Sequence, residues 1–349
     1  MLMQAICEFH AKIELRCVSP LLIKEGRFTQ QQRENWVYDK ADREIMPSAI
    51  PISLNTEDEI KAAVMRRNDT RGAVNALRFY IPGSSMRGAW RSHLERTLRG
   101  FDLPNSPRVC DPLDDHENEV TSGCSTTLDA KRKEFLKAKQ KFPAYELSCP
   151  VCKLFGNLTQ AGRLSISDGV RIGTEGGIVE REHVRINRRN GQVIGAPLRF
   201  YGLQGARFQV DIRIRNFELW QILLMGTLLA ELGSKLVPLG SGKNKGYGQV
   251  EAVVNSIELT SFGLAKPDDK LRGIAEHEAM GTTLQRQYGL QAADTVPTLG
   301  GTDWNQLTPW RWQRSLDRAA FDSTWKQLKL PWGAFGLLSQ RTERKPVCL

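Results

Sequence analysis

The chain has 349 residues, about two domains' worth, and carries 49 Lys+Arg against 39 Asp+Glu for a formal charge of +10; the basic excess points to an acidic partner, nucleic acid above all, or else to a basic, unspecialised soluble protein. At 40% hydrophobic residues the chain is not wholly disordered, and its longest apolar stretch, Leu219 to Leu232, is broken by Gln221, Gly226 and Glu231, short of the ~20 residues a membrane span needs. Seven scattered cysteines are no disulfide framework, and residues 1–11 hold no apolar signal core, so a reducing, cytoplasmic setting is expected.

Residues 5–23 alternate as a strand that ends at Ser19-Pro20. Residues 24–75 are polar, with a helical stretch from Thr56 to Arg67 whose Thr56-Glu57-Asp58-Glu59 start resembles a capping box. Leu77 to Ile81 reads as a short strand, followed by a helix from Ser84 to Leu98 with Gly100 as its C-cap. Residues 101–148 are loop-like and contain a Lys-rich helix, Ala130 to Lys141. Strands are expected at Arg163 to Val170, on both sides of Asn190-Gly191, and at Phe208 to Ile214. An apolar helix (Phe217 to Leu232), a Gly-rich loop (Gly240 to Gly248) and a strand (Gln249 to Leu259) follow. Two β–α units with antiparallel strands predict an α+β, ferredoxin-like sheet. The remainder, from Gly263, holds Trp304, Trp310, Trp312, Trp325 and Trp332 among basic residues; these tryptophans read as core or packing anchors in preference to base stackers.

Four segments carry chemistry. In Ile81-Pro82-Gly83-Ser84-Ser85-Met86-Arg87-Gly88 a strand runs into a helix start. Helix N-termini attract phosphate, which Ser84, Ser85 and Arg87 would assist; a plain N-cap with a solvated Arg is the alternative. The loop Gly240-Ser241-Gly242-Lys243-Asn244-Lys245-Gly246-Tyr247-Gly248 lets backbone approach a phosphate chain. It is not a nucleotide loop: Val237 and Asn244 occupy positions where that motif needs Gly and Ser/Thr, and the loop precedes a strand. Between residues 181 and 215, Arg181, Arg185, Arg188, Arg189, Arg199, Arg207, Arg213 and Arg215 face only Glu182 and Asp211. A projecting, solvated hairpin is expected, with His183, Ile186 or Ile194 as wedges against bases, or else a charged edge strand that resists aggregation. Finally, Cys149-Pro150-Val151-Cys152 offers two thiolates on one turn, and Cys110 and Cys124, with His116 as a substitute, would complete a structural zinc site. A redox pair or two buried thiols are the alternatives.

Taken in order, IPGSSMRG (81–88), CPVCKLFG (149–156), GRLSISDG (162–169), EHVRINRRNG (182–191), GARF (205–208) and GSGKNKGYG (240–248) resemble the RAMP superfamily of CRISPR effector proteins, and more narrowly the backbone subunit that polymerises along a guide RNA. The resemblance implies an RRM-like palm over 1–262, with insertions at about 24–75 and 101–148, a thumb at about 171–204 and an extension over 263–349. It implies guide-RNA contacts from Ser84, Ser85 and Arg87, from Arg181, His183, Arg185, Asn187, Arg188 and Arg189 in the thumb, and from Gly242, Lys243, Asn244, Lys245 and Tyr247. The implied partners are guide RNA, target DNA or RNA paired to it, further copies stacked head to tail, and other effector subunits, with no nucleotide cofactor and no membrane. The thumb in this family displaces a guide base at regular intervals. Cleaving type III subunits use an acid shortly before the IPGSS segment; here that loop is expanded and no Asp sits in an obviously matching position, Asp39, Asp42, Asp58 and Asp69 being candidates. This expansion and the long tail are similar to the type IV backbone subunit, which implies no catalytic role. A type III-like, metal-dependent endoribonuclease is the alternative.

Overall fold

The computed structural model describes residues 4–23, 80–102, 107–113, 123–277, 290, 295–296 and 301–338. The helix expected at 56–67, the strand residues 77–79, His116 and the four candidate aspartates lie outside them.

Strand β1 (Cys7–Cys17) alternates in sequence; its apolar residues are all buried, and so are His10 and Glu14 on the polar face. After it come β2 (Tyr80–Ile81) and the helix α1 (Gly83–Arg99). Helices α2 (Cys124–Lys137), α3 (Ala144–Leu147) and α4 (Pro150–Phe155) follow. Next are the short pair β3 (Gly156–Asn157) and β4 (Gln160–Ala161), then β5 (Leu164–Ile166) and β6 (Gly169–Ile172). A projecting pair, β7 (Gly177–His183) and β8 (Leu198–Gln204), leads to β9 (Arg207–Arg215), α5 (Leu219–Gly233) and β10 (Val250–Phe262). Then follow β11 (Leu271–Arg272), β12 (Thr295–Val296), β13 (Asn305–Thr308), β14 (Arg311–Leu316) and α6 (Arg318–Trp325).

The main sheet runs β13-β14-β10-β1-β9-β6-β2, with β5 also on β9, and its pairings are antiparallel. Its centre has a simple order. The strand after α5 (β10) lies beside the first (β1), then the third (β9), then the second, which is split into β5 and β6. A βαββαβ chain in the order fourth–first–third–second is the ferredoxin-like α+β fold. Phe9, Ile13 and Leu15 of β1 and Phe208, Val210, Ile212 and Ile214 of β9 form a buried core with Met86, Trp90, Leu94 and Leu98 of α1 and with the apolar side of α5.

Gly100 is the C-cap of α1, as expected, in a right-handed conformation (φ −63°). Two expectations are corrected. The Lys-rich helix begins at Cys124, six residues before the apolar pattern shows it, because Cys124 is held in a buried sulfur cluster. The strand expected over 163–170 breaks at Ser167-Asp168, whose polar groups bond across it: the Asp211 amide donates to Ser167 Oγ and the Gly83 amide to Asp168 Oδ1.

The C-terminal segment shares this core. β14 pairs with β10, and Phe321 of α6 is buried in contact with Phe9 (ring centroids 5.7 Å apart). Gly226 in α5 explains how α6 docks: a Cβ there would stand 2.5 Å from Cγ of Trp325. The ~1 kcal/mol that an interior helix glycine costs makes room for that indole. Trp304, Trp325 and Trp332 pack on the core, whereas Trp310 is exposed.

Candidate nucleic-acid interface

The Gly loop is a rigid feature. Gly240, Gly242, Gly246 and Gly248 all have positive φ. At Gly248 (φ +79°) a Cβ would also overlap the Leu239 carbonyl oxygen, so only glycine closes the loop there. Between the glycines, Lys243–Lys245 form one exposed 3-10 turn. Partial desolvation, and then the cation of Arg96 on α1, lower the Lys243 pKa.

Residues 18–22, just beyond β1, stitch this loop to the projecting hairpin. The amides of Ser241 and Gly248 donate to Leu22 O (2.7 Å) and Pro20 O (2.9 Å), while Leu21 and Leu203 exchange two backbone bonds (2.8 and 3.0 Å). Strand β7 then points Arg181 and His183, two residues apart, at the loop. Arg181 lies over the Tyr247 ring (5.5 Å to its centroid), and His183 Nε2 and Tyr247 Oη are 2.8 Å apart. Tyr247 is buried, which raises its pKa against the opposing effect of Arg181. Tyr247 is thus the buried pillar of the junction, and His183, expected as a wedge, bonds to it from the stem.

The other two wedge candidates, Ile186 and Ile194, lie at the hairpin tip and are exposed. Ile186 and Val193 form a bridge near the tip, and Asn187 orders the turn by accepting from the Arg189 amide (2.9 Å). Val184, Ile186, Val193 and Ile194 are 49–61% exposed, an apolar tip of the kind that marks a contact surface. Arg185, Arg188 and Arg189 surround it, exposed and without an ion pair among the described residues.

The start of α1 is arranged differently from the sequence expectation. Pro82 is the N-cap, and neither Ser84 nor Ser85 caps the helix with its side chain. The anion at the helix start is the chain's own Asp168, which accepts from the Gly83 amide at 2.7 Å. Arg87 turns inward, donating to Leu164 O at 3.0 Å and to Phe155 O. Ser84 and Ser85 lie about 16–18 Å along the helix from Arg96, at 1.5 Å per residue. The structure therefore joins the Gly loop to the hairpin and leaves the Ser-Ser turn apart from them.

The sheet face away from the helices is polar and pairs with itself. Glu8 lies within 3.8 Å of Arg213 and 3.4 Å of Arg215. Glu14 engages Arg16 at 2.6 Å and Arg207 at 3.6 Å. His10 sits between Asp211 (2.7 Å) and Glu258 (3.2 Å). On β1 and β9 this face carries no Phe, Tyr or Trp, and its one ring, His10, is buried between two carboxylates, so it lacks the stacking platform by which RRM sheets hold bases.

A second constellation lies under α1. Cys110, Cys124, Cys149 and Cys152 are buried with all four sulfurs within 4.8 Å of one another. Cys110 Sγ is 3.6 Å from that of Cys149 and 3.8 Å from that of Cys152. Four thiolates ~2.3 Å from one tetrahedral ion stand about 3.8 Å apart, so the donor set fits a metal such as zinc. Backbone amides of Cys149 and Cys152 donate to the sulfurs of Cys124 and Cys149 (both 3.4 Å). Bonding among the thiols (from Cys124 to Cys110, and from Cys110 to Cys152), with burial added, raises the pKa of Cys110 and Cys152. Full burial disfavours an accessible redox pair.

Sequence reasoning missed Asp168, Arg91 and residues 18–22. Arg91 carried one signal, its spacing of four from Arg87 on the same helix stripe; the others act through tertiary contacts alone. Among the described residues no helix is long and apolar enough to cross a membrane.

Against known proteins, the model of the RAMP superfamily matches residues 14–251. Among solved structures, a chain of the "Cryo-EM structure of the Type III-B Cmr-beta bound to cognate target RNA" aligns at 13% identity with a TM-score of 0.38. That alignment covers 73% of this chain and 61% of the other, so the chain spans less than two thirds of that protein's length. A comparison with curated proteins gave no match.

Proposed function

The chain belongs to the RAMP superfamily, and from that premise we propose that it is an RNA-holding backbone subunit of a CRISPR ribonucleoprotein effector. The observation that carries this reading is the junction of Gly loop and hairpin. Arginines and lysines gather there on a rigid scaffold, next to an apolar tip, with few acids among them. Such a surface holds a sugar–phosphate chain by charge and shape, and sequence is then read by base pairing between guide and target. Lys243, Lys245 and the rigid loop backbone line the RNA path with Asn244. Arg185, Arg188 and Arg189 hold phosphates around the tip, and Ile186 and Ile194 press between neighbouring bases.

Copies stack head to tail, an open arrangement whose length the RNA sets. The subunit holds and does not cut, as in type IV effectors. Zinc held by Cys110, Cys124, Cys149 and Cys152 keeps the segment between α1 and β5 folded; it supplies structure and no chemistry.

The test is electron microscopy of the protein co-expressed with CRISPR RNAs of two lengths. The expected result is particles whose subunit count grows with the RNA. Lone monomers with no RNA would sink the reading. Incubation with guide, complementary RNA and Mg²⁺ should leave the target intact. Regularly spaced products abolished by a single Asp→Ala change would replace the holding role with a cutting one.

A further inference from the structure

Arg91 stands outside the RNA path, yet each nitrogen of its guanidinium is directed. Nε donates to Glu95 Oε1 at 2.8 Å, Nη1 to Gly156 O at 3.0 Å, and Nη2 to Cys152 Sγ at 3.2 Å. Glu95 is itself buried on the next turn of α1. A carboxylate and a carbonyl thus fix the plane of the guanidinium so that its remaining edge meets one sulfur of the cysteine cluster.

A neutral thiol is a weak acceptor and a poor use of a buried cation. Four thiolates around a divalent ion carry a net formal charge of −2, and burying that charge calls for a cation with a donor aimed at sulfur. Arg91 is such a group, already in place. We infer that Arg91 is a positioning residue of the metal centre: it donates to metal-bound Cys152, offsets part of the cluster's charge and ties α1 to α4. This rests on the zinc reading above. Because Arg87, one turn earlier, holds the carbonyls of Phe155 and Leu164, and Arg91 that of Gly156, the same stripe of α1 fixes the C-terminal end of the short helix that carries Cys152.

The experiment uses the full chain purified without chelator. Metal content is measured first, and one zinc per chain is expected. Zinc affinity is then read by competition with a chromophoric chelator, and the thiolate-to-metal absorption band is followed after cobalt substitution. Arg91→Met should weaken zinc about 10–100-fold, the usual penalty for losing a group that holds a metal ligand, and should move the cobalt band. Arg91→Lys, which keeps a cation and a donor, should recover part of both. If Arg91→Met fails to fold, Glu95→Gln tests the same idea, because it loosens Arg91 without removing it and should weaken zinc several-fold. A zinc-loaded wild type with unchanged affinity in the folded variants overturns the role of Arg91. A wild type without metal overturns the zinc reading beneath it.

Discussion

Two surfaces of this molecule are rich in arginine, and they use it differently. On the polar sheet face Arg16, Arg207, Arg213 and Arg215 each lie within 4 Å of Glu8 or Glu14. Each pair contributes at most about 1 kcal/mol to stability in water, but it also weakens the outward field. On the hairpin, Arg185, Arg188 and Arg189 are exposed and unpaired among the described residues. Their charge remains available to a polyanion, whose bound counterions they can displace. The lesson is that the count of basic residues does not locate a nucleic-acid surface; charge left uncompensated on a rigid support does.

The strongest way to break this contrast is to reverse the uncompensated charge. Arg185→Glu with Arg188→Glu removes two phosphate partners and adds two repulsions. At ~0.15 M salt, affinity for single-stranded RNA should fall on the order of 30–100-fold, measured by fluorescence anisotropy. Circular dichroism should be unchanged, because both side chains are solvated. An RNA affinity within twofold of wild type would remove the hairpin from the interface.

A smaller effect separates loop from hairpin. Lys243→Ala with Lys245→Ala should weaken RNA about 5–10-fold, equally for unrelated sequences. It should also flatten the plot of log affinity against log salt by about 1.4, from ~0.7 per phosphate contact on a single strand. A lower affinity with an unchanged slope would mean that the lysines support the loop without meeting phosphate.

What could be read from the sequence follows the reach of each interaction. Strict alternation in Phe208 to Ile214, and the Asn190-Gly191 turn, are local signals, and the strands and hairpin stand where those signals put them. The CxxC spacing is local too, but only the fold shows that Cys110 and Cys124 close on it. Arg87 misled because a guanidinium one turn into a helix can face solvent or the neighbouring carbonyls with the same sequence around it; the approach of Phe155 and Leu164 decides. The same holds for Ser84 and Ser85. Asp168, 85 residues away, fills the helix start they were expected to leave open. The pairing on the sheet face was equally hidden, since it joins β1 to β9 and β10 across some 200 residues of chain.

The smallest expected effect is the sharpest control. Arg213→Ala removes a cation from the sheet face as large as any on the hairpin, and a simple count of charges predicts the same loss for both. In the structure Arg213 is 3.8 Å from Glu8, which Arg215 also approaches at 3.4 Å. Losing Arg213 therefore leaves Glu8 partnered, and stability should change by less than about 1 kcal/mol in chemical denaturation. RNA affinity should stay within about twofold and the salt slope should not move, because a cation already compensated by a carboxylate releases no counterion from the RNA. A tenfold loss would place RNA on the sheet face, and pairing would then be no guide to where this protein holds its ligand.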